Sequence, residues 1–246
     1  MTKAYNDAEF MLSDEARPIR VLSEYLEPRT RLAKLEVNRA LIFWGSARLR
    51  PHDKDPVAES VDFYSEARSL AARMARWTKD THAPCDHYYI CTGGGPGIME
   101  AANRGAADVD RDLSMGYNIE LPHEQGANPY VSDQLNFEFK YFFMRKFWFM
   151  NIAKGLIIFP GGFGTMDELF EMLTLIQTGK QPRIPVVLYG RDFWQRLINF
   201  DVFVELGLIA DTDLDLFYCA DTVDEAYRFL TDALDESTAR AQQRHG

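Results

Sequence analysis

A glycine-rich loop in the second half of the chain has the residue types of a phosphate site. The apolar run from Leu156 to Phe159 predicts a buried strand, and the sequence PGGFGT follows it at 160–165. Glycine lets a backbone turn tightly and leaves no side chain to block a ligand. A helix is predicted to begin at about Met166, and the free N–H groups and positive dipole end of a helix suit a phosphate. The loop therefore predicts a phosphate cradle.

Two carboxylates, Asp167 and Glu168, are expected in the first turn of that helix, beside whatever the phosphate carries. Acidic residues are favoured in the first turn of any helix, so for an isolated pair a purely structural role is the better interpretation. The glycine loop beside them reverses this preference for one of the two. The residues alone predict one functional carboxylate without choosing between them.

Two further loops resemble the first in position. The sequence TGGGPG at 92–97 follows the predicted strand 88–91, and GSAR at 45–48 follows the predicted strand 40–44. TGGGPG does not fit the dinucleotide fingerprint, because its last glycine position is occupied by Ile98, and no P-loop signature is present. One glycine loop is weak evidence, but two loops that each join a parallel strand to a helix indicate a nucleotide or sugar-phosphate site.

The basic pair Arg145 and Lys146 lies within FEFKYFFMRKFWFM at 137–150, a segment with eight aromatic residues. A helix this apolar is expected to be buried on most sides, in the core or at a subunit interface. A buried cation needs an anionic partner. That partner is either a neighbouring carboxylate, with Glu138 and Glu168 as candidates, or a substrate phosphate or developing charge; the chemistry alone leaves both open.

The elements that must position these residues follow an α/β pattern. Strands alternate with helices, which indicates βαβ units in a Rossmann-like, doubly wound parallel sheet with helices on both faces. Ligands bind such sheets at the carboxyl ends of the strands, so the three loops are expected to meet there. We expect an N-terminal arm at 1–38 with a helix over 20–35, a single catalytic domain at 39–235 and a flexible tail at 236–246. Further helices are predicted at 57–78, 98–107, 141–153, 193–200 and 222–234, and further strands at 114–121, 135–139, 185–189 and 216–220.

Composition limits the class of protein. A net charge of −10 argues against general binding of nucleic-acid polymers or anionic membranes. No apolar run reaches the roughly 18 residues of a membrane span, and the N-terminus lacks the apolar region of a secretory signal. Three scattered cysteines indicate a reducing compartment, and neither they nor the five histidines have metal-ligand spacing. We therefore expect a cytoplasmic protein without a metal site.

Two long motifs carry a resemblance. GGGPGIMEAANRGA at 93–106 and PGGFGTMDELFEMLTLIQTGK at 160–180 closely resemble the Lonely Guy family, the cytokinin riboside 5'-monophosphate phosphoribohydrolases, which are often labelled lysine decarboxylases. The family hallmark P-G-G-x-G-T-x-x-E is matched from Pro160 to Glu168, and its Arg-Lys element at 145–146. GSAR and NIELPHEQGANPYV, at 118–131, resemble the longer bacterial branch, and the whole resemblance runs from about residue 39 to 235.

The resemblance implies a hydrolase that cleaves the N-glycosidic bond of a nucleoside 5'-monophosphate, AMP or a cytokinin ribotide, to free base and ribose 5-phosphate, with no cofactor. By position it makes Glu168 and Arg145 the catalytic pair, although Arg145 could instead hold phosphate or position Glu168. It also implies a homodimer or higher homo-oligomer with active sites near the interface. The substrate-binding residues it implies are Ser46, Gly94, Gly95, Gly97, Lys146, Gly161, Gly162, Gly164 and Thr165.

Two alternatives stand beside this hydrolase. The first is a non-catalytic nucleotide-binding or cofactor-carrier protein, since fold does not fix function; a carrier needs only the loops, so the presence of both Arg145 and Glu168 favours the enzyme. The second is a pyridoxal-phosphate lysine decarboxylase, for which no Schiff-base lysine can be identified. The apolar helix FKYFFMRKFWFM and the longer arm differ from plant-type enzymes, and the preferred base is left open.

Overall fold

The computed structural model describes residues 2–52, 61–120 and 126–245, with side chains described as far as residue 236. Within these ranges the chain forms seven β-strands and nine α-helices. The strands are β1 (Ala40–Trp44), β2 (Tyr89–Thr92), β3 (Ser114–Ile119), β4 (Asn136–Phe139), β5 (Ala153–Ile158), β6 (Val186–Tyr189) and β7 (Tyr218–Ala220). The helices are α1 (Ala8–Leu12), α2 (Arg17–Lys34), α3 (Phe63–Thr81), α4 (Ile98–Ala107), α5 (Phe142–Ile152), α6 (Phe163–Gln177), α7 (Arg191–Leu197), α8 (Phe200–Glu205) and α9 (Val223–His245).

All seven strands form one parallel sheet in the order β4-β3-β2-β1-β5-β6-β7. The chain winds outward from β1 to β4, returns to the centre to place β5 beside β1, and then winds outward in the other direction. The strand order reverses between β1 and β5, and such a switch point opens a crevice at the carboxyl ends of the strands. The predicted doubly wound α/β fold is confirmed.

Side chains of the central strands alternate between two hydrophobic clusters, one on each face of the sheet. In β1, Ile42 and Trp44 belong to the cluster that includes α2, α5 and α6, whereas Leu41 and Phe43 belong to the cluster that includes α3, α4 and α9. Because helices cover both faces, the central strands are apolar throughout, as in other buried parallel sheets. None of the described helices has the length and apolar character that a membrane span requires.

The start of α6 differs from the sequence prediction. The helix begins at Phe163, with Gly162 as its N-cap, rather than at about Met166. A glycine within a helix costs only about 1 kcal/mol relative to alanine, so Gly164 does not prevent the earlier start. The prediction that Asp167 and Glu168 lie in the first helical turn is therefore wrong, because both lie in the second turn.

Several other boundaries shift. The helix predicted at 57–78 is described from Phe63, where the side chain of Asp62 accepts a hydrogen bond from the Ser65 N–H at 3.0 Å; residues 57–60 lie outside the described residues. The helix predicted at 193–200 is instead α7 and α8, since Ile198 between them is extended. β3 ends at Ile119, and the residues predicted to close it, 121–122, lie outside the described residues.

Both ends of the chain are more helical than predicted. The arm holds α1 and α2, and α2 starts at Arg17 because Pro18 is tolerated in a first helical turn. At the other end α9 continues to His245 rather than ending at Leu234. The domain limits and the flexibility of the tail at 236–246 stay predictions.

Candidate active site

A cavity of about 1010 Å³ opens at the carboxyl ends of β1, β2, β3 and β5. Residues of all three predicted loops line it, so the loops do meet at this edge of the sheet. Of the residues predicted to act on substrate, those on the cavity wall are Ser46, Gly95, Arg145, Gly161, Gly162, Gly164, Thr165 and Glu168. The other three, Gly94, Gly97 and Lys146, do not belong to the described cavity wall.

The N-terminus of α6 has the geometry of an anion site. The loop before it is tied to the GSAR loop by the Ser46 N–H, which donates to the Pro160 carbonyl at 2.9 Å. A Cβ at Gly161 would collide with the Thr165 side chain, whereas a Cβ at Gly162 or Gly164 would meet no non-neighbouring atom of the described residues within 4 Å. The helix N-terminus therefore faces open space in the cavity, and its N–H groups can approach a phosphate.

Gly94 and Gly97 shape the second glycine loop. Both have positive φ, +73° and +70°, which a side chain would disfavour. At Gly97 a Cβ would also collide with backbone atoms of Ser46 and Ala47. The Ile98 N–H donates to the Ser46 carbonyl at 3.1 Å, so this close approach joins the two loops. These glycines thus permit the loop conformation rather than supply open cavity wall.

A buried amide network, which the sequence analysis missed, supports the same loop. The Gly94 N–H donates to Thr92 Oγ1 at 2.9 Å, and Thr92 Oγ1 donates to Asn103 Oδ1 at 2.6 Å. Asn128 Nδ2 lies within donating distance of the Gly94 and Gly95 carbonyls, at 3.1 and 3.2 Å, and of Asn103 Oδ1 at 2.9 Å. The only sequence signal was an asparagine among the small apolar residues of α4, which the pattern of α4 cannot distinguish from a surface position.

Arg145 lies on the cavity wall, held by main-chain carbonyls. Its Nε donates to the Tyr117 carbonyl at 2.7 Å, its Nη2 donates to the Gly93 carbonyl at 3.4 Å, and its guanidinium lies 5.3 Å from the centre of the Phe149 ring. These contacts join α5 to the carboxyl ends of β2 and β3. They fix a cation beside the second glycine loop.

Glu168 is a buried carboxylate on the same cavity. Its side chain is only 8% exposed, and Oε2 has no hydrogen-bond partner among the described residues. Burial raises the pKa of Glu168 to about 7, against the attraction of the Arg145 and Lys146 charges, which lowers it. Glu168 therefore exchanges a proton near neutral pH and retains an unused oxygen for a ligand.

Lys146 binds two carboxylates of α6. Its Nζ lies 2.9 Å from Asp167 Oδ2 and 2.9 Å from Glu171 Oε2. Glu138 and Glu168 were the candidate carboxylate partners of this basic segment, and Lys146 instead pairs with these two neighbouring carboxylates. The actual partners lie one helical turn apart on α6, and their pairing with Lys146 depends on which faces of α5 and α6 meet in the fold.

The cavity therefore combines a helix N-terminus open to an anion, a fixed cation and a carboxylate whose pKa is raised to about 7. Additional polar residues on its wall, which the sequence analysis did not predict to contact substrate, include Arg48, Asn118, Asn136 and Glu138. Among the described residues no cluster of histidine, cysteine and acidic side chains could hold a metal ion. Acid–base and electrostatic chemistry on a phosphorylated substrate is what these groups can perform.

Comparisons with known proteins find one matching family model and partial alignments to named enzymes. A family model described as "Possible lysine decarboxylase" matches residues 99–230. A pyrimidine/purine nucleotide 5'-monophosphate nucleosidase of Escherichia coli is 35% identical over 130 residues, which cover 46% of this chain and 27% of that protein. A cytokinin riboside 5'-monophosphate phosphoribohydrolase of Arabidopsis thaliana is 35% identical over 80 residues, 32% of this chain and 37% of that protein.

These alignments are partial, since they cover between about a quarter and two fifths of each relative. Among solved structures, a structural-genomics target titled TM1055 superimposes with a TM-score of 0.50 at 20% identity, covering 79% of this chain and 99% of that one. At that identity the structural match supports the fold alone.

Proposed function

The chain belongs to the family described as possible lysine decarboxylases, the Lonely Guy family, and we propose that it hydrolyses the N-glycosidic bond of nucleoside 5'-monophosphates. The observation that carries this proposal is the position of Glu168 and Arg145 on the cavity wall that also contains the N-terminus of α6. A phosphate at that N-terminus would hold the ribose of a nucleotide close to the carboxylate. The names of the partly aligned relatives support the same substrate class.

The chemistry requires opposite charges on the two sides of the breaking bond. As the bond between C1' and the base nitrogen breaks, its electron pair leaves with the base and positive charge develops on the ribose. Ionised Glu168 stabilises that positive charge and accepts a proton from the water whose oxygen bonds to C1'. Arg145 offsets the negative charge of the leaving base, which then takes up a proton from solvent, and Glu168 returns its proton to solvent. The products are the free base and ribose 5-phosphate.

The direct test is base release by purified protein from a panel of nucleoside monophosphates that includes AMP and an isopentenyladenine ribotide. We expect adenine release from AMP, and we expect Glu168→Gln to abolish turnover while AMP still binds, because the phosphate site is intact. Glu205→Gln, at an exposed glutamate of α8, is the matched control and should retain full activity. Full activity of Glu168→Gln would refute the assignment, and the panel separates general nucleotide turnover from cytokinin activation.

The two alternatives predict different results. A carrier protein would bind AMP tightly and release no base from any nucleotide in the panel.

A pyridoxal-phosphate decarboxylase needs a lysine for its Schiff base, and none of the described residues that line the cavity is a lysine. Hydrogen bonds to Asp167 and Glu171 also overcome the effect of burial and raise the pKa of Lys146 to about 12, the opposite of what a reactive amine requires. An absorption band of bound pyridoxal phosphate would support that alternative.

We also propose that the protein works as a homo-oligomer in the cytoplasm. A second cavity, of about 700 Å³, lies between α2 and α5 and is lined mostly by apolar side chains, among them Val21, Leu22 and Phe143. Phe142, the neighbour of Phe143, lines the active-site cavity, and both are 52% exposed. A second copy seated on this groove would bury Phe143 and lie close to the active-site cavity that Phe142 lines. Sedimentation should show a dimer or larger assembly, and Leu22→Glu with Phe143→Glu should shift it to the monomer.

A further inference from the structure

The N-terminal arm caps the helix that carries the basic pair. The carboxylate of Glu24, on α2, accepts a hydrogen bond from the Lys140 N–H at 2.9 Å through Oε1 and one from the Tyr141 N–H at 3.2 Å through Oε2. Tyr141 is the N-cap of α5, and its own side chain makes no capping hydrogen bond. A carboxylate at a helix N-terminus satisfies N–H groups that lack helical partners and interacts favourably with the helix dipole.

Other contacts hold α5 to the arm along its length. Trp148, two turns into α5, donates through Nε1 to the main-chain carbonyl of Glu24 at 3.0 Å. The ring of Tyr25 lies 5.5 Å from the ring of Phe147 and 6.0 Å from that of Trp148. Arg20 Nε donates to the Tyr141 hydroxyl at 3.2 Å. Since these contacts lie at the N-terminus of α5 and about two turns further along it, they restrain its position along the axis and its rotation.

The capped residue is hydrogen-bonded to the main chain of Arg145, whose side chain is the cavity cation. The carbonyl of Tyr141 accepts the N–H of Arg145 at 3.2 Å, so one peptide residue links the Glu24 carboxylate to the backbone of Arg145. The Arg145 guanidinium in turn reaches the Tyr117 and Gly93 carbonyls on the cavity edge. A shift of the first turn of α5 would therefore move Arg145 relative to Glu168, which lies on α6.

We propose that Glu24 is a positioning residue for Arg145, and that the arm is thereby part of the catalytic apparatus. This inference rests on the proposed hydrolase function for its kinetic consequence, although the positioning itself does not. The phosphate site belongs to the loop between β5 and α6, which Glu24 does not contact through any described hydrogen bond. Losing Glu24 should therefore affect the chemical step more than the binding of the nucleotide.

The test compares Glu24→Ala and Glu24→Gln with Glu27→Ala, one turn further along α2. Glu27 is an exposed glutamate that forms an ion pair with Arg31, so its loss removes a charge from the same helix without touching α5. Glu24→Ala is expected to lower kcat roughly tenfold with KM changed less than about twofold. Glu24→Gln keeps an acceptor oxygen for one of the two N–H groups and should recover part of the loss, and Glu27→Ala should match the parent protein. Circular dichroism at the assay temperature checks that each variant is folded.

A second measurement is independent of turnover. The Nε–H resonance of Arg145, assigned by its loss in Arg145→Gln, reports the hydrogen bond to the Tyr117 carbonyl. Glu24→Ala should shift or broaden this resonance, and Glu27→Ala should not. An unchanged resonance together with an unchanged kcat, or equal losses of kcat in Glu24→Ala and Glu27→Ala, would overturn the proposal. If no nucleotide is hydrolysed by the parent protein, the hydrolase proposal fails while the resonance still decides the positioning of Arg145.

Discussion

Lys146 Nζ lies 2.9 Å from Asp167 Oδ2, and this ion pair joins α5 to α6 at the residue next to Glu168. The same ammonium reaches Glu171 on the following turn of α6. Burial disfavours the ammonium, but the hydrogen bonds to these carboxylates prevail and hold the pKa of Lys146 at about 12. Lys146 thus stays charged near neutral pH. By pairing with Asp167 and Glu171, Lys146 restrains the segment of α6 that carries Glu168. Direct contact of Lys146 with substrate stays a prediction.

Activity should depend on the ionisation of Glu168. Burial raises its pKa to about 7, and the proposed reaction needs the carboxylate. Below this pH the side chain is protonated and inactive; above it the side chain is ionised. We expect kcat/KM for AMP to rise about tenfold per pH unit below pH 7 and to level off above it, as for a single essential base in the free enzyme. A profile that falls as pH rises through 7 would assign Glu168 the role of a proton donor instead.

Replacing Lys146 by methionine should move this break to higher pH. The substitution removes a cation that lowers the pKa of Glu168 and leaves two carboxylates on α6 without their partner, and both changes favour protonated Glu168. A shift of about one unit is expected for the loss of one nearby opposite charge. Lys180→Met, at an exposed lysine just beyond α6, should leave the break unchanged. The pH dependence of kcat/KM for the three proteins measures the shift, and identical breaks would contradict the effect of the Lys146 charge on the pKa of Glu168.

The sequence predicted the elements with strong local signals and missed interactions between distant segments. β1 and α4 were predicted to the residue, because an apolar run ending in glycine and a helical pattern after Gly97 mark their limits. The start of α6 was misplaced because Gly164 was taken as part of the loop, although it lies within the first turn. Local sequence patterns describe only neighbouring residues. They cannot decide whether a glycine such as Gly164 belongs to a loop or to the first turn of a helix.

The candidate site likewise contains features that local sequence predicted and contacts between distant segments that it did not. The glycine motifs located the cavity, and Glu168 and Arg145 both line it. The partners of Lys146 depend on which faces of α5 and α6 meet. The hydrogen bond from the Lys140 N–H to the Glu24 carboxylate joins residues that are 116 positions apart. No local pattern encodes such contacts, because they arise only when the sheet has brought the helices together.

Glu168 should reduce the stability of the folded protein at alkaline pH. Its pKa is raised from 4.5 to about 7 on folding, so the folded state holds the proton more tightly and stability falls as pH rises between these values. Glu168→Gln removes the buried charge and should increase the free energy of unfolding at pH 8 by at most about 3 kcal/mol. The gain should vanish below about pH 4.5, where both states of the parent protein are protonated. Urea unfolding at pH 8 and pH 4 measures the difference.

The matched control for this stability effect is Glu171→Gln. Glu171 is also an acidic residue of α6, but it is paired with Lys146 at 2.9 Å. Removing its charge leaves Lys146 with one partner fewer, so the variant should be no more stable than the parent protein at pH 8. If both variants gain stability equally, the effect comes from the general charge of α6 and not from the burial of Glu168.

Gly164→Ala should separate ligand binding from stability. A Cβ at this position of α6 would meet no non-neighbouring atom of the described residues within 4 Å, and alanine is favoured over glycine in a helix by about 1 kcal/mol. The variant should therefore be as stable as the parent protein or slightly more stable. Its methyl group would nevertheless occupy the space proposed for the phosphate, and the loss of a hydrogen bond to a charged group predicts about tenfold weaker AMP binding or more.

Gly97→Ala provides the contrasting case, because at this residue the backbone itself requires glycine. Gly97 has φ of +70°, and a Cβ would lie 2.7 Å from the carbonyl carbon of Ala47. Strain of this kind costs about 1–3 kcal/mol, so Gly97→Ala should unfold at lower urea concentration as well as bind AMP more weakly. Calorimetric titration and urea unfolding of both variants make the comparison. If Gly164→Ala lost stability as Gly97→Ala does, the glycine of α6 would be explained by the fold, and the phosphate site would lose its main support.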